Sequence, residues 1–247
     1  MSKYGLNFIT DENLFNHVKE TVEKYRFKIN LKEFNKNIID PIKLTFDSAI
    51  YSKNMKDLIS DEISRQLDKS NNNHIGYFHQ NIFKYIDGDW DVPENGYDVI
   101  NHKDKIYVEM KNKHNTMNSS SSQKTYMRMQ STMLTDAQAT CMLVEVIAKN
   151  SQNKVWQISL DGVKTEHHQI RRVSIDKFYE IVTQQKTAFK QLCDVLPLVL
   201  NNVISSLEND LITSSVFEEL QKYSTDIMES LYLLAFEKYE GFKNVES

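Results

Sequence analysis

The alternation of side chains in IYVEMK, residues 106–111, is the strongest local constraint on how this chain folds. Successive side chains of a strand point to opposite faces, so the apolar side chains at 106, 108 and 110 share one face. Glu109 and Lys111 share the other face. A carboxylate and an ammonium that are buried together cost desolvation, which indicates that the pair has a use. The alternative is an ordinary ion pair on a surface hairpin.

The rest of the chain is predicted to be helical on both sides of a sheet. Six glycines and three prolines in 247 residues disfavour a loop-rich all-β protein. Helical patterns cover residues 1–90, with Asp40 as an N-cap before Pro41, and return over 176–247. The sheet core spans about 91–175. We expect one domain over 1–247 of the α/β (α+β) class, with a central mixed β-sheet flanked by helices.

Two sets of segments carry this prediction. Separate helices are expected at residues 55–67 and 75–86. Strands are expected at residues 97–100, 105–111, 140–147 and 155–160, with a further strand in IRRVSI.

Composition indicates a cytoplasmic protein whose middle segment carries an excess of basic side chains. Cys141 and Cys193 stand alone in apolar surroundings, so no disulfide framework is expected and both are predicted to lie in the core. No secretion signal is visible, and no stretch reaches the roughly 18 apolar residues of a membrane span. The net charge is −4, yet residues 101–130 carry six basic and two acidic side chains. Either a binding surface for a polyanion or an ordinary solvated face explains this local excess.

Asp98 is expected to join Glu109 and Lys111. A hairpin that turns at residues 101–104 would bring Asp98 of the preceding strand beside Glu109. Two carboxylates and a lysine suit metal-assisted phosphodiester hydrolysis, because Mg²⁺ prefers carboxylate oxygens, water and substrate phosphate. The metal activates a water and stabilises charge on phosphorus, while the lysine orients or deprotonates that water. The spacing alone is loose, so the surface hairpin stays open as the alternative.

Glu62 is a further candidate for the active site. On a helix over residues 55–67, Glu62 and Gln66 fall within the apolar stripe. A buried acid is unfavourable unless something uses it, and either a catalytic role or an ion pair to an arginine would explain this one.

A polar and basic run follows the strand directly and is a candidate DNA-contacting segment. Such side chains contact phosphates and base edges, and a lysine, arginine or asparagine can read guanine or adenine. The candidate residues are Lys113, His114, Asn115, Thr116, Ser121, Lys124 and Arg128. A flexible polar loop is the alternative, above all for Ser119–Ser122. A second basic cluster that contains Arg171 and Arg172 either follows backbone phosphate or protects a sheet edge.

The stretch GYDVI…KIYVEMKNKHNT resembles the PD-(D/E)xK nuclease motif, with Tyr97 where the motif has proline. Together, NIIDPIKLTFD and VEMKNKHNTMNSSSSQKTYMRM are similar to type II restriction endonucleases that recognise GGNCC. The resemblance runs from about residue 30 to the final helices. It implies a restriction-endonuclease-like fold with Asp98 and Glu109 as metal ligands and Lys111 as the catalytic lysine. Glu62 matches the upstream helical glutamate of many PD-(D/E)xK nucleases.

The resemblance also implies an activity and its partners. It implies Mg²⁺-dependent hydrolysis of double-stranded DNA at a short palindrome, with GGNCC expected, by a homodimer accompanied by a cognate DNA methyltransferase. Two other functions stay open from the sequence. One is a structure-specific PD-(D/E)xK nuclease in repair or recombination, and the other is a non-catalytic helical interaction protein. Discrete fragments from plain duplex DNA would favour the restriction enzyme over both.

Overall fold

The computed structural model of the protein describes residues 3–26, 28–37, 39–86, 88–207 and 213–236. These residues form two compact units. The first unit contains Ile75–Leu207 and the N-terminal segment up to Glu23. The second contains Lys24–His74 and the described residues beyond Leu207. That the two units act as one endonuclease domain over 1–247 stays a prediction.

The first unit holds the sheet and most of the long helices. Its helices are α1 (Asp11–Lys24), the end of α4 (Met55–Asn81), a 3₁₀ turn (Ile82–Tyr85), α5 (Ser119–Thr135), α6 (Ile175–Thr183) and α7 (Ala188–Ser206). Its strands are β2 (Trp90–Asp91), β3 (Val99–Asn101), β4 (Ile106–Lys113), β5 (Thr140–Ile147), β6 (Asn153–Leu160) and β7 (Val163–Ser174). None of the helices in the described ranges is long and apolar enough to cross a membrane.

The second unit is mostly helical and has its own core. It contains β1 (Lys28–Ile29), α2 (Leu31–Asn35), α3 (Pro41–Tyr51), the first part of α4, β8 (Thr213–Ser214), α8 (Val216–Leu220) and α9 (Ile227–Phe236). The N-cap prediction for α3 is confirmed, because the Asp40 carboxylate accepts the Lys43 backbone N–H at 3.1 Å and Pro41 is the first helical residue.

The six strands of the first unit form the mixed sheet that the sequence predicts, in the order β2-β3-β4-β5-β7-β6. Strands β2, β3 and β4 are antiparallel, while β4, β5 and β7 are parallel and β6 is antiparallel to β7. The β3–β4 hairpin turns at Asn101–Asp104, where the Asn101 side chain accepts the Asp104 backbone N–H at 2.8 Å. Its register pairs Val99 with Val108.

Helices cover both faces of this sheet, and α5 shares its face with the polar side chains of β4. On one face Val108 and Met110 pack with residues of α6 and α7, such as Phe178 and Val199. On the other face Tyr126 and Met129 of α5 join a second cluster with side chains of β5, β6 and β7. The face of β4 that carries Glu109 and Lys111 therefore lies on the α5 side.

Several local expectations differ from the structure. The helices predicted at 55–67 and 75–86 are one helix, α4, followed by the 3₁₀ turn. Ser119–Ser122 is the first turn of α5 rather than a loop, because the Asn118 side chain caps that turn. The strand β7 is longer than IRRVSI and pairs on both sides, so its arginines do not protect a sheet edge. Cys141 is buried as predicted, but Cys193 is exposed on α7.

Candidate active site

The β3–β4 hairpin brings Asp98 beside Glu109. Asp98 precedes Val99 and Glu109 follows Val108, and these two valines are register partners. The segment before β3 is also tied to β4 by a backbone hydrogen bond, in which the Asp98 N–H donates to the Val108 carbonyl at 2.9 Å. One oxygen of the Asp98 carboxylate accepts the Met110 backbone N–H at 2.7 Å. The hairpin geometry inferred from the sequence is thus present, with Asp98 directly before β3 and Glu109 within β4.

Lys111 lies on the same face as Glu109, as the alternation of β4 predicts. Its Nζ is 2.7 Å from Oε1 of Glu109. The Glu109 side chain is 13% exposed and the Lys111 side chain is 30% exposed, so the ammonium is the more accessible of the two. The ion pair compensates a carboxylate that is mostly removed from water. This arrangement leaves the lysine at the rim of the site, within reach of a bound molecule.

Arg128 of α5 pairs with the second carboxylate oxygen of Glu109. Its Nη2 donates to Oε2 of Glu109, and its Nη1 donates to the Gly96 carbonyl at 3.2 Å. The guanidinium carbon lies 4.5 Å from the centroid of the Tyr97 ring, a cation–π contact. Glu109 therefore has a cation on each of its oxygens. The sequence places Arg128 among the DNA-contacting candidates, and nothing in its spacing from Glu109 indicates this pairing.

Burial and the neighbouring Glu109 carboxylate both act against ionisation of Asp98. Burial raises the pKa of this carboxyl, the Met110 N–H lowers it, and the Glu109 carboxylate raises it again. Lys111 and Arg128 lower it by smaller amounts, and the net direction is upward. A carboxyl whose pKa is raised by burial and by a second carboxylate is typical of functional sites. A cation bound between the two carboxylates would favour the ionised form of Asp98 instead.

The donor set suits a hard divalent cation. Asp98 and Glu109 supply carboxylate oxygens only, and within the described residues no group of three or more His, Cys, Asp or Glu side chains is arranged to hold a metal. Zinc sites use three or four protein ligands, whereas Mg²⁺ is held by one or two carboxylates and completes its shell with waters and substrate phosphate. Two neighbouring carboxylates with no histidine or cysteine beside them among the described residues therefore fit Mg²⁺ better than zinc.

A second charged pair, Glu145 and Arg172, lies on the same face of the sheet. Glu145 is the register partner of Lys111 on β5, and its side chain is 2% exposed. The Arg172 guanidinium donates to both Glu145 oxygens, at 3.0 and 2.5 Å, and to the His114 carbonyl at 3.2 Å. The pair thus fixes the turn that follows β4. Sequence reasoning missed Glu145, although a single acid inside the apolar run TCMLVEVI was a usable signal.

The candidate DNA-contacting residues lie after β4 and along α5. Lys113, Asn115, Thr116, Ser121 and Lys124 are exposed. His114 is half-buried, and its backbone N–H donates to the Ile147 carbonyl at 3.1 Å. The Thr116 hydroxyl donates to the Lys113 carbonyl at 2.8 Å, so it shapes the turn. Five of the seven candidates therefore present side chains to solvent beside the carboxylate site.

Glu62 belongs to the second unit and has an ion-pair partner there. Both of its carboxylate oxygens accept hydrogen bonds from Arg65 at 2.6 Å, and Gln66 donates to Oε1 at 2.9 Å. Burial raises the pKa of Glu62, but the hydrogen bonds from Arg65 and Gln66 outweigh it and the pKa lies below its usual value. The arginine partner that the sequence left open is present, so burial of this acid no longer requires a metal to explain it.

Comparison with known proteins identifies relatives over most of the chain. Residues 6–205 match the family model described as Eco47II restriction endonuclease. The type II restriction enzyme Sau96I of Staphylococcus aureus is 33% identical over 218 residues, which cover 83% of this chain and 84% of that protein. The type II restriction enzyme Eco47II of Escherichia coli is 28% identical over 212 residues, which cover 81% of this chain and 88% of that protein. The residues that match the family model include the whole carboxylate site.

Proposed function

Because the chain belongs to the Eco47II restriction endonuclease family, it is a type II restriction endonuclease, and we propose that Asp98, Glu109 and Lys111 form its catalytic centre. Restriction endonucleases act on double-stranded DNA, hydrolyse its phosphodiester bonds at specific sites and use a divalent metal cofactor. The observation that carries the assignment of the centre is the hairpin register, with Asp98 beside Glu109 and Lys111 at 2.7 Å from Glu109.

The cofactor in this proposal is Mg²⁺, held by Asp98 and Glu109. When bound, Mg²⁺ supplies a polarised water and stabilises negative charge on the scissile phosphate. Lys111 orients the attacking water through its ammonium or takes its proton. The Lys111 side chain supports this role, because its Nζ is held by Glu109 while the side chain stays 30% exposed. The Met110 N–H orients the Asp98 carboxylate.

The proposed substrate is a short palindrome, GGNCC, read by residues after β4 and on α5. Guanine presents O6 and N7 acceptors in the major groove, which suit Lys113 and Lys124. Asn115 and His114 contribute amide and imidazole groups, while Thr116 and Ser121 contribute hydroxyls for base or phosphate contact. In support, α5 contains no acidic side chain in its 17 residues, so it presents little repulsion to DNA.

Lys113→Ala is expected to weaken binding to the specific site by about 1–3 kcal/mol if the ammonium reads a base. The Lys113 side chain is exposed and forms no ion pair with another described residue, so its loss should not disturb the fold. Fluorescence anisotropy with specific and nonspecific duplexes measures the change. A matched control is Lys103→Ala, which removes an exposed lysine paired to Asp89 at the hairpin turn. Equal weakening on both duplexes, with a smaller salt slope, would make Lys113 a phosphate contact.

Glu62 is kept in the proposal as a catalytic residue because it matches the upstream helical glutamate of many PD-(D/E)xK nucleases. Its support is the family resemblance and the burial of its carboxylate, with 14% of the side chain exposed. The competing role is structural, as the partner of Arg65. Glu62→Gln keeps the hydrogen bond from Gln66 and removes the charge, and a fall in cleavage rate of at least about tenfold is expected. Wild-type cleavage by a folded Glu62→Gln protein would exclude Glu62 from the catalytic set.

The proposed enzyme is a homodimer. A two-fold dimer suits a palindrome, because each subunit reads one half and cuts one strand. Sedimentation of the DNA-free protein is expected to show twice the 29.0 kDa chain mass. A 29.0 kDa species at concentrations that cut DNA would contradict the dimer.

Digestion of unmethylated phage DNA, with Mg²⁺ and with EDTA, tests the proposed function as a whole. Discrete fragments that require Mg²⁺ and end within GGNCC are expected. DNA from cells that carry the cognate methyltransferase should resist, since a host whose cytoplasm contains this enzyme needs such protection. Fragments that map to another sequence would overturn the proposed site, and intact duplex beside cleaved branched DNA would favour a structure-specific nuclease.

A further inference from the structure

Arg128 is held against Glu109 by contacts that leave part of its guanidinium unused. One terminal nitrogen donates to Glu109 and the other to the Gly96 carbonyl, while the plane lies over the Tyr97 ring. The Nε atom is buried and has no hydrogen-bond partner within the described residues. A buried N–H without a partner is unfavourable, so this position does not satisfy the arginine fully. The side chain is still 39% exposed, which leaves it room to move.

The contact with Glu109 occupies the oxygen that a metal ion would need. Oε1 of Glu109 already accepts Lys111, and Oε2 accepts Arg128. A divalent cation at this carboxylate would displace Arg128 from Oε2 and repel its guanidinium with twice the force of a single charge at the same distance. Binding of the metal and closure of the Glu109–Arg128 pair therefore oppose each other. By linkage, the factor by which the closed pair weakens metal binding equals the factor by which a bound metal weakens the pair.

The geometry also indicates what the displaced guanidinium would bind. Arg128 lies on α5 beside the carboxylates, and its planar fork of donors matches two phosphate oxygens. Glu109 provides the only carboxylate that Arg128 pairs with among the described residues. A scissile phosphate at the Asp98–Glu109 site would offer the same paired acceptor oxygens, with the negative charge that the displaced arginine requires.

We propose that Arg128 exchanges partners during the reaction, from Glu109 in the metal-free enzyme to the scissile phosphate when the metal and DNA are bound. This inference rests on the proposed metal site at Asp98 and Glu109. In the free enzyme Arg128 neutralises Glu109 and competes with the metal. In the complex it becomes a catalytic residue that stabilises charge on the phosphate, as preorganised donors do in other sites. The exchange couples metal loading to the presence of DNA.

Arg128→Met keeps the length and apolar stem of the side chain and removes its charge. Titration of DNA-free protein with Mn²⁺ by calorimetry is expected to give a dissociation constant about tenfold lower than that of the wild type. Single-turnover cleavage with saturating Mg²⁺ should fall by about 10²–10³-fold, the usual loss for one transition-state donor. Tighter metal binding with slower cleavage is the signature of exchange. If Arg128 only ties α5 to β4, Arg128→Met should lower both the Mn²⁺ affinity and the cleavage rate.

Two further variants keep the test decisive. Arg171→Met removes an arginine of β7 that donates hydrogen bonds to the side chain and the carbonyl of Asn153. Because this arginine does not pair with Glu109, the Mn²⁺ dissociation constant of the variant should equal that of the wild type. Arg128→Lys keeps a cation at Glu109 but loses the fork, so its Mn²⁺ dissociation constant should stay within about twofold of wild type while cleavage falls by about tenfold or more. This variant decides the case if Arg128→Met does not fold.

The outcomes separate this inference from the proposed function. Folded Arg128→Met protein that binds Mn²⁺ no more tightly than wild type overturns the competition, and unchanged cleavage overturns the phosphate contact. Glu109→Gln serves as the reference for the site itself. If Glu109→Gln binds Mn²⁺ as the wild type does, the metal site is placed wrongly and the proposed function fails first. If Glu109→Gln loses Mn²⁺ binding but Arg128→Met binds Mn²⁺ as the wild type does, the proposed partner exchange fails and the metal site stands.

Discussion

Lys111→Ala is expected to reduce the rate of DNA cleavage by about 10³–10⁴-fold in a protein that remains folded. The loss combines a proton-transfer contribution with the positioning of the attacking water. The fold should tolerate the change, because Lys111 is 30% exposed and Glu109 keeps Arg128 as a partner. Single-turnover cleavage of a plasmid with one site measures the rate, and circular dichroism measures folding. DNA affinity in Ca²⁺ should change far less than the rate.

A matched lysine at the other end of the same strand controls for loss of charge. Lys105 precedes β4 and pairs with Asp136 at 3.1 Å and with the Gln138 side chain, away from the carboxylates. Lys105→Ala should cut within about twofold of the wild-type rate, since surface ion pairs contribute little. Cleavage by Lys111→Ala within tenfold of wild type would remove the lysine from its proposed catalytic role, whatever Lys105→Ala does.

Asp98→Asn is expected to abolish cleavage, by about 10³-fold or more, and to stabilise the metal-free protein. The pKa of Asp98 is raised, chiefly by burial, so ionisation of the carboxyl at neutral pH opposes folding. A neutral amide keeps an oxygen that can accept the Met110 N–H and avoids that penalty. A gain of about 1 kcal/mol would raise Tm by about 2–4 °C in a chain of this size. Thermal unfolding in EDTA measures it.

The dependence on pH and metal tests the physical cause of this gain. Because the folded pKa of Asp98 lies above its unfolded value, the penalty is absent below the unfolded pKa and develops as pH rises through the folded pKa. The Tm advantage of Asp98→Asn in EDTA should therefore vanish in acid. Millimolar Mn²⁺ should reverse the order at neutral pH, because a metal that binds only the native wild type raises its Tm.

Asp136→Asn supplies a control of opposite sign. The pKa of Asp136 is lowered, first by the Gln138 backbone N–H and then by the Lys105 side chain, so its ionised form favours the folded state. Asp136→Asn should lower Tm in EDTA, and Mn²⁺ should shift its Tm as much as it shifts that of the wild type. A lower Tm for Asp98→Asn in EDTA would show that this carboxylate is structural, and equal Mn²⁺ shifts in both aspartate variants would remove it as a ligand.

The candidate catalytic centre could be predicted because its parts are close in sequence. The alternation of IYVEMK determines that Glu109 and Lys111 share a face, and a four-residue turn determines that Asp98 meets Glu109. The same locality holds for the Asp40 cap and for the first turn of α5, although the run of serines in that turn is equally compatible with a loop when the sequence is taken alone. The geometry of a strand, a tight turn or a helix cap depends on few torsion angles, so a few neighbouring residues suffice to specify it.

The partners of the centre could not be predicted, because they depend on which elements pack together. Arg128 reaches Glu109 because α5 packs on the face of the sheet that carries Glu109, and a separation of 19 residues in sequence carries no information about that approach. Glu145 meets Arg172 because β7, not β6, pairs with β5. Strand order is selected by burial summed over both faces of the sheet, a property of the whole unit.

The sequence by itself therefore determined the strand, the hairpin and the three charged residues that the hairpin brings together, and its likeness to known nucleases determined the class of reaction. Only the tertiary structure decided that both oxygens of Glu109 are paired, that Arg65 accompanies Glu62 and that Cys193 is exposed. The physical reason is the separation in sequence over which each interaction acts. Periodicity and capping act over a few residues, whereas the compensation of a buried charge is provided by whichever side chains the packed elements bring within hydrogen-bond distance.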